Sequence, residues 1–363
     1  MHSSYFFKKR PASHSPRLGA QSVPTDPKVQ RVGHISAQRK HIWRSFYASF
    51  LRWIGTLGLA AFLSACGGET SSSNIAEVAQ KNGFTALLAA VDKAGIASTL
   101  TAPDANLTVF APTDAAFGTL ATQLGFANAG AMVTALSGAD LGKILTYHVL
   151  PGTKSAADLK AGGATQATAY TFSGSAAQLA LDTSDGVAIT DAALATARVT
   201  MADVGANNGV IHVIDKVLVP PGVLNVVQMA QANPGTFSAL VAAVVATELA
   251  PTLSGAGPFT VFAPTNTAFA GAPSGLSTSQ LSSVLLYHVV SGQVLSTGIP
   301  FGTPVATLDT TTLAGATVAA QTITINSNLT ITDTTVTAGN ILATDVRASN
   351  GVIHVIGKVL IPN

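Results

Sequence analysis

A thirteen-residue segment occurs twice in this chain, and two copies of so long a segment predict two copies of a domain. Asn208 to Pro220 reads NGVIHVIDKVLVP, and Asn350 to Pro362 reads NGVIHVIGKVLIP. The Asn-Gly pair predicts a type I′ hairpin turn, because both residue types tolerate the positive φ that this turn requires. The Val/Ile run behind it predicts a buried strand. That strand carries a histidine at the same place in each copy, His212 and His354.

Other blocks repeat in the same order. Thr108-Val109-Phe110-Ala111-Pro112-Thr113-Asp114 returns as Thr260-Val261-Phe262-Ala263-Pro264-Thr265-Asn266, and Tyr147-His148-Val149 returns as Tyr287-His288-Val289. Val-Phe-Ala predicts a strand that proline ends, since proline offers no N–H to a ladder. Thr113 or Asp114, and Thr265 or Asn266, then supply the side-chain oxygen that caps a helix. Upstream, Ile75, Val78, Phe84, Leu87 and Val91 recur at three- and four-residue spacing, which predicts a helical pair broken near Asn82-Gly83. Short strands are expected at Leu179 to Leu181, Val187 to Thr190 and Thr322 to Ile325. The copies lie 152 residues apart at Thr108/Thr260 but 140 apart at Tyr147/Tyr287, so the second lacks twelve residues in a segment such as Gly125 to Gly138. One domain is expected over residues 74–220 and a second over 221–363, joined stiffly through Val219-Pro220-Pro221-Gly222.

Charge is unevenly placed. The first 65 residues hold ten Lys/Arg and one acid, Asp26, leaving nine basic and sixteen acidic residues downstream. Without its leader the protein is mildly acidic, which argues against a nucleic-acid partner. Arg39, Lys40, Arg44 and Arg52 precede the apolar run Trp53 to Ala65, the pattern of a secretory signal peptide. Leu63-Ser64-Ala65-Cys66 resembles the bacterial lipobox, so residues 1–65 read as leader and signal peptide and Cys66 as a lipidated N-terminus. Residues 66–73 form a Gly/Ser-rich tether. Cys66 is the only cysteine, which excludes a disulfide within the chain. Export across the cytoplasmic membrane and a lipid anchor at the outer membrane or cell surface are expected.

The blocks TVFAPTDAAF, YHVLPG and NGVIHVIDKVLVPP, in this order and spacing, resemble the fasciclin domain family over about Asn74 to Asn363. The resemblance implies an α+β fold, two tandem domains each with a wedge of antiparallel strands flanked by helices. It also implies extracellular display, commonly in adhesion, matrix or biofilm roles and usually without catalysis; no cofactor is expected. Animal members carry an Asn-Lys-Asp-Ile-Leu-like integrin segment before the Tyr-His pair. Here Asp140 to Leu145 and Gln280 to Leu285 share only Ile144-Leu145 with it, and there is no Arg-Gly-Asp. The family's other suggested contact region makes Tyr147, His148, Tyr287 and His288 candidate interaction residues.

Downstream of the leader only His148, His212, His288 and His354 remain. Asp114 becomes Asn266 and Asp215 becomes Gly357, so no acidic residue is expected at matched positions beside both pairs, and no metal site is expected. No G-x-S-x-G elbow, Walker loop or dinucleotide fingerprint is present, so an enzyme is not expected. Thr113, Thr265, His212 and His354 are read as structural, the two histidines supporting the Ala-Pro-Thr corner of their domain. The expected function is cell-surface adhesion or matrix/biofilm interaction, with a surface protein, a polysaccharide or a second copy as partner. The alternative is an extracytoplasmic carrier of a small apolar ligand such as a carotenoid.

Overall fold

The structure, a computed structural model, describes residues 73–363; the leader, the lipidation site at Cys66 and all but the last residue of the tether lie outside them. In the first domain the chain runs α1 (Ile75–Lys81), α2 (Thr85–Ala94), α3 (Ala97–Thr101), β1 (Leu107–Pro112), α4 (Asp114–Gln123), α5 (Ala129–Ala135), α6 (Gly138–Tyr147), β2 (Val149–Pro151), α7 (Ala156–Ala161), β3 (Thr165–Phe172), β4 (Ser175–Asp182), β5 (Ala188–Thr190), β6 (Thr196–Ala206) and β7 (Gly209–Ile214). The second domain repeats the plan with α8 (Val226–Ala232), α9 (Pro234–Ala246), α10 (Ala250–Ser254), β8 (Phe259–Pro264), α11 (Asn266–Ala270), α12 (Thr278–Tyr287), β9 (Val289–Ser291), β10 (Pro304–Ala306), β11 (Thr322–Ile325), β12 (Thr330–Thr332), β13 (Gly339–Ala348) and β14 (Gly351–Ile356). After α11 no counterpart of α5 appears before α12, which is where the second copy is shorter. Among the described residues no helix is long and apolar enough to cross a membrane.

Each domain has one seven-stranded sheet, ordered β2-β1-β7-β6-β5-β4-β3 and β10-β11-β12-β13-β14-β8-β9. The pairings are antiparallel except for one in each sheet, one strand in from an edge, where β1 runs parallel to β7 and β8 parallel to β14. The duplicated segment supplies one strand of each parallel pair. Its six residues, Gly-Val-Ile-His-Val-Ile, are buried on both faces, as unbroken Val/Ile runs in parallel pairings usually are. Helices cover one side of the strands: Ile75, Leu87, Val91, Phe117, Leu120, Leu141 and Leu145 meet Val109, Ala111 and Ile211 in one core cluster.

Helix starts follow the sequence chemistry. Thr113 Oγ1 accepts the Ala116 N–H at 3.2 Å and Thr265 Oγ1 the Ala268 N–H at 3.2 Å, so threonine is the cap in both copies. The next residue does other work. Asp114 accepts from the Ala86 N–H and the Thr85 hydroxyl, while Asn266 accepts from the Ala239 N–H and donates to Pro234 O and Gly235 O. That explains why an acid in one copy can be an amide in the other.

The Asn-Gly pair does not make the expected turn. Asn207-Asn208 and Ser349-Asn350 form the loops between strands, and none of these four residues has positive φ. Glycine follows the asparagine because β7 passes close to β1: a Cβ on Gly209, at φ +156°, would lie 2.0 Å from Leu107 O. On Gly351 it would lie 2.3 Å from Phe259 O.

The two domains meet through side chains as well as the linker. Tyr170 Oη donates to Pro221 O at 3.1 Å, and the Gly222 N–H donates to Arg347 O at 3.0 Å. The Arg347 guanidinium lies 5.3 Å over the Phe172 ring, a cation–π contact. Gly222 fits beneath that ring, where a Cβ would come 2.3 Å from Phe172 Cε2. Asn233, at the end of α8, donates through Nδ2 to Ala193 O at 3.1 Å and Leu194 O at 3.0 Å in the first domain.

Candidate functional site

The duplicated histidines are buried where helices, sheet and closing segment meet. His148 caps the end of α6, 2% exposed. Its Nδ1 lies 2.7 Å from Ile144 O, and its Nε2 accepts the Leu218 N–H at 2.8 Å. Because a backbone N–H can only donate, Nε2 is the bare nitrogen and Nδ1 carries the proton. His288 repeats this with Val284 O at 2.7 Å and the Leu360 N–H at 2.9 Å. Burial pushes both imidazoles down to about 4, because neither can be charged without loss of hydration.

His212, fully buried in β7, has the opposite tautomer. Its Nδ1 accepts the Asp203 N–H at 3.3 Å and its Nε2–H donates to Lys154 O at 2.9 Å. His354 does the same with the Asp345 N–H at 3.4 Å and Val294 O at 2.9 Å, and burial lowers its pKa. The rings lie 5.7 Å from Phe110 and 5.5 Å from Phe262. These bonds correct the expectation that His212 and His354 hold the Ala-Pro-Thr corner. The corner is closed by backbone, Thr113 N–H to Ile214 O and Thr265 N–H to Ile356 O. The histidines instead pin the segment after β2 or β9 to a bulge in β6 or β13. Thr108 helps, its hydroxyl donating to Gly152 O at 2.6 Å and accepting the Lys154 N–H at 2.8 Å.

Tyr147 and Tyr287 are each 1% exposed and His148 and His288 each 2%, so as a contact surface these four side chains are out of reach. Tyr147 Oη donates to Gln178 O at 3.0 Å and Tyr287 Oη to Thr322 O at 2.8 Å. Burial raises the pKa of both phenols, that of Tyr287 to about 12. The helix end that carries each Tyr-His pair turns inward to meet the sheet.

Matched acids do exist, contrary to the sequence reading. Asp203 and Asp345 sit 142 residues apart at the bulges, both at positive φ. Each faces histidine with its backbone N–H, while its carboxylate accepts from Ala156 N–H or Ser296 N–H. A His-Asp dyad is therefore not formed. Asp191 and Asp333 are a second matched pair. Asp191, 5% exposed, accepts the N–H groups of Val219 (2.8 Å), Ala193 (2.9 Å) and Ala195 (2.9 Å), and burial outweighs these bonds to push its carboxyl up to about 7. Asp333 accepts the Ile361 N–H and Thr335 N–H and pairs with Lys358 at 2.9 Å. Burial opposes it, but the Thr335 hydroxyl and Lys358 hold it below the usual carboxylate range.

Sequence reasoning also missed Asn208 and Asn350. Asn208, 0% exposed, accepts the Ile75 N–H at 3.0 Å and donates to Leu100 O at 2.8 Å and Ala102 O at 2.9 Å. Asn350 makes the same three bonds with Val226, Leu253 and Gly255. Their signal was recurrence at the head of the duplicated segment. Among the described residues no three His, Cys, Asp or Glu side chains gather as a metal would require.

The family model described as Fasciclin domain matches residues 82–220 and again 235–362. Protein sll1483 of Synechocystis sp. is 40% identical over 147 residues, 38% of this chain and 74% of that protein. Transforming growth factor-beta-induced protein ig-h3 of Sus scrofa is 35% identical over 173 residues, 46% of this chain but 23% of its own length, so the chain spans about a quarter of it. A solved domain pair from the insect cell adhesion molecule Fasciclin I is similar at 18% identity and TM-score 0.37, covering 78% of this chain and 94% of that one. With the family model matched twice along one chain, this protein belongs to the fasciclin domain family and carries two tandem copies of the domain.

Proposed function

We propose that this chain is a non-enzymatic adhesion or matrix-interaction protein of the cell exterior, held to a membrane through a lipidated Cys66. Family membership supports the reading, because the roles it implies are adhesive. The observation that carries it is that every imidazole of the two domains spends both ring nitrogens on backbone groups. A base needs a free lone pair and a metal needs a bare nitrogen, and neither is offered. Recognition then falls to the outer surface, with a surface protein, a polysaccharide or a second copy as partner.

The carrier alternative gains no support from the interior. Apolar cavities between helices and sheet, bounded by Val226, Leu240 and Ile353 in one domain and Leu87, Val91 and Ile211 in the other, measure about 30 and 20 Å³. Small-molecule pockets run to roughly 300–1,000 Å³. Deleting the protein from its host and measuring cell clumping and biofilm tests the adhesion reading; unchanged clumping and biofilm would sink it. Cys66→Ala tests the anchor separately. The variant should be released or left unprocessed, and normal cleavage with retention on the membrane would overturn the anchor.

A further inference from the structure

Charge divides the two domains unequally. Residues 74–220 hold seven basic and eleven acidic side chains, whereas residues 221–363 hold only Glu248, Asp309, Asp333, Asp345, Arg347 and Lys358. Five of these six are already engaged. Asp309 is 0% exposed against Ser283 and Gln321, Asp333 pairs with Lys358, the Asp345 carboxylate accepts from Ser296, and Arg347 lies over Phe172. The sixth, Glu248, is exposed in the turn between α9 and α10, on the helical side of the domain. No charged residue occurs in β10, β11 or β12.

These strands alternate between core and solvent. Val305, Ile323, Ile325, Ile331 and Ile341 turn into the core cluster of the second domain. Thr322, Thr324, Thr330 and Thr332 therefore stand on the outer face, with Asn340 and Leu342 beside them on β13. Register aligns them across the sheet, Thr324 opposite Thr332 and Thr330 opposite Asn340. Asn326, just after β11, donates through Nδ2 to Thr330 Oγ1 and Thr332 Oγ1, both at 3.0 Å. Thr330 spends its own proton on Asn328 Oδ1 at 2.7 Å, so the group that faces it must be the amine of Asn326. Asn326 Oδ1 and the Thr322 and Thr324 hydroxyls are left without a hydrogen-bond partner among the described residues. Leu342 is 60% exposed, and Phe301 is 43% exposed at the β10 margin, next to Gly302, whose N–H donates to Ile325 O.

We propose that this outer face of the second domain binds an uncharged polysaccharide. A sugar chain offers hydroxyl edges, apolar C–H faces and no charge. The fixed amide and hydroxyl groups suit the edges, and the threonine methyls, Leu342 and Phe301 suit the faces. Other partners fit poorly. Without a cation here, nucleic acid, an acidic polysaccharide or an anionic membrane finds nothing to neutralise it. Protein contacts are anchored by Trp, Tyr and Arg, and β10 to β12 contain none of these. The first domain does not repeat the face, because exposed Asp182 and Arg198 flank Ala188 there on β4 and β6. One open site of this kind binds weakly, and retention comes from many copies on one cell engaging one long chain.

The test immobilises matrix polysaccharide of the host, freed of protein by protease and split by anion exchange into uncharged and charged fractions. Full-length protein should be retained by the uncharged fraction. Thr322→Lys and Thr332→Lys, both at exposed positions, should each lower retention by about tenfold, because an ammonium loses hydration against a ligand without counter-charge. Thr196→Lys, exposed on the first domain, should leave retention unchanged. Asn326→Ala, which adds no charge, should weaken it, with melting temperatures confirming that each variant is folded. Retention by the charged fraction alone, by neither fraction, or undiminished in Thr322→Lys and Asn326→Ala, overturns the proposal and makes the threonines ordinary strand formers. Because the proposal rests on the adhesion reading, clumping on deletion is scored in parallel. Clumping that is lost on deletion while retention is lacking removes the polysaccharide face and leaves adhesion standing. Retention without any clumping phenotype on deletion does the reverse.

Discussion

Replacing Asn208 with alanine should be among the most damaging single changes in the first domain, and more damaging than the same change at Asn350. Asn208 closes three bonds at once, to the first N–H of α1 and to two carbonyls at the end of α3, at a site with no exposure. A buried backbone group left unpaired costs about 1–3 kcal/mol. Two of them, the Ile75 N–H and Leu100 O, lose their partner in one cavity that a water could partly fill, while Ala102 O keeps the Ala105 N–H, so the expected loss is about 2–4 kcal/mol. Asn350 makes the same bonds but is half-buried, and its bond to Gly255 O is open to solvent. Water replaces its amide more readily, and the expected loss there is about 1–2 kcal/mol. Both tryptophans, Trp43 and Trp53, precede the domains, so urea unfolding should be followed by far-ultraviolet circular dichroism. Hydrogen exchange at the Ile75 and Leu107 amides then locates the damage. Equal losses in the two variants, or a loss under about 1 kcal/mol at Asn208, would refute the idea that this residue staples helix to sheet.

Three further outcomes are expected. Gly209→Ala should cost more than about 2 kcal/mol, since its Cβ meets the Leu107 carbonyl at 2.0 Å on a parallel pair that cannot part; a melting temperature within error of the parent's contradicts it. Phe172→Ala removes the ring under Arg347 and should split one thermal transition into two, read by calorimetry; a single unshifted transition would show that the joint does not depend on this contact. In acid the domains should differ. His148 and His288 fall from 6.5 to about 4 on folding, so the stability they confer is complete above pH 6.5 and is lost as pH falls toward 4, by at most about 3 kcal/mol each. Asp191 rises from 3.8 to about 7, so its contribution runs the other way and grows as pH falls from 7 toward 4. Once exchange is corrected for the intrinsic rate at each pH, the protection of β7 amides should therefore fall less than that of β14 amides between pH 7 and 4, and the reverse order would be inconsistent with a protonated, buried Asp191.

Local chemistry was readable from residues close in sequence. Threonine caps, the break at Asn82-Gly83 and the buried Val/Ile strand each depend on neighbours within a few positions. What could not be read depends on distant partners. The bonds of Asn208 go to Ile75, Leu100 and Ala102, over a hundred residues away, so its Asn-Gly pair looked like turn chemistry and is a staple beside a close strand crossing. The Tyr-His pairs were contact candidates through the family resemblance alone, and the helix end that carries them points into the sheet. Asp191/Asp333 and Asp203/Asp345 share the 142-residue offset of the duplicated segment, so the signal was present. Asp114 and Asp215, in the repeated blocks, have no acidic twin, whereas bulges in β6 and β13 bring Asp203 and Asp345 to the imidazoles from the neighbouring strand.

The claim that the recurrent histidines belong to the architecture is tested most directly by nuclear magnetic resonance titration of the four imidazoles from pH 8 to 4. His148 and His288 should stay neutral until about pH 4, with the proton on Nδ1 throughout. Titration of either near 6.5, or a proton found on its Nε2, would mean that the ring is open to solvent and free for chemistry.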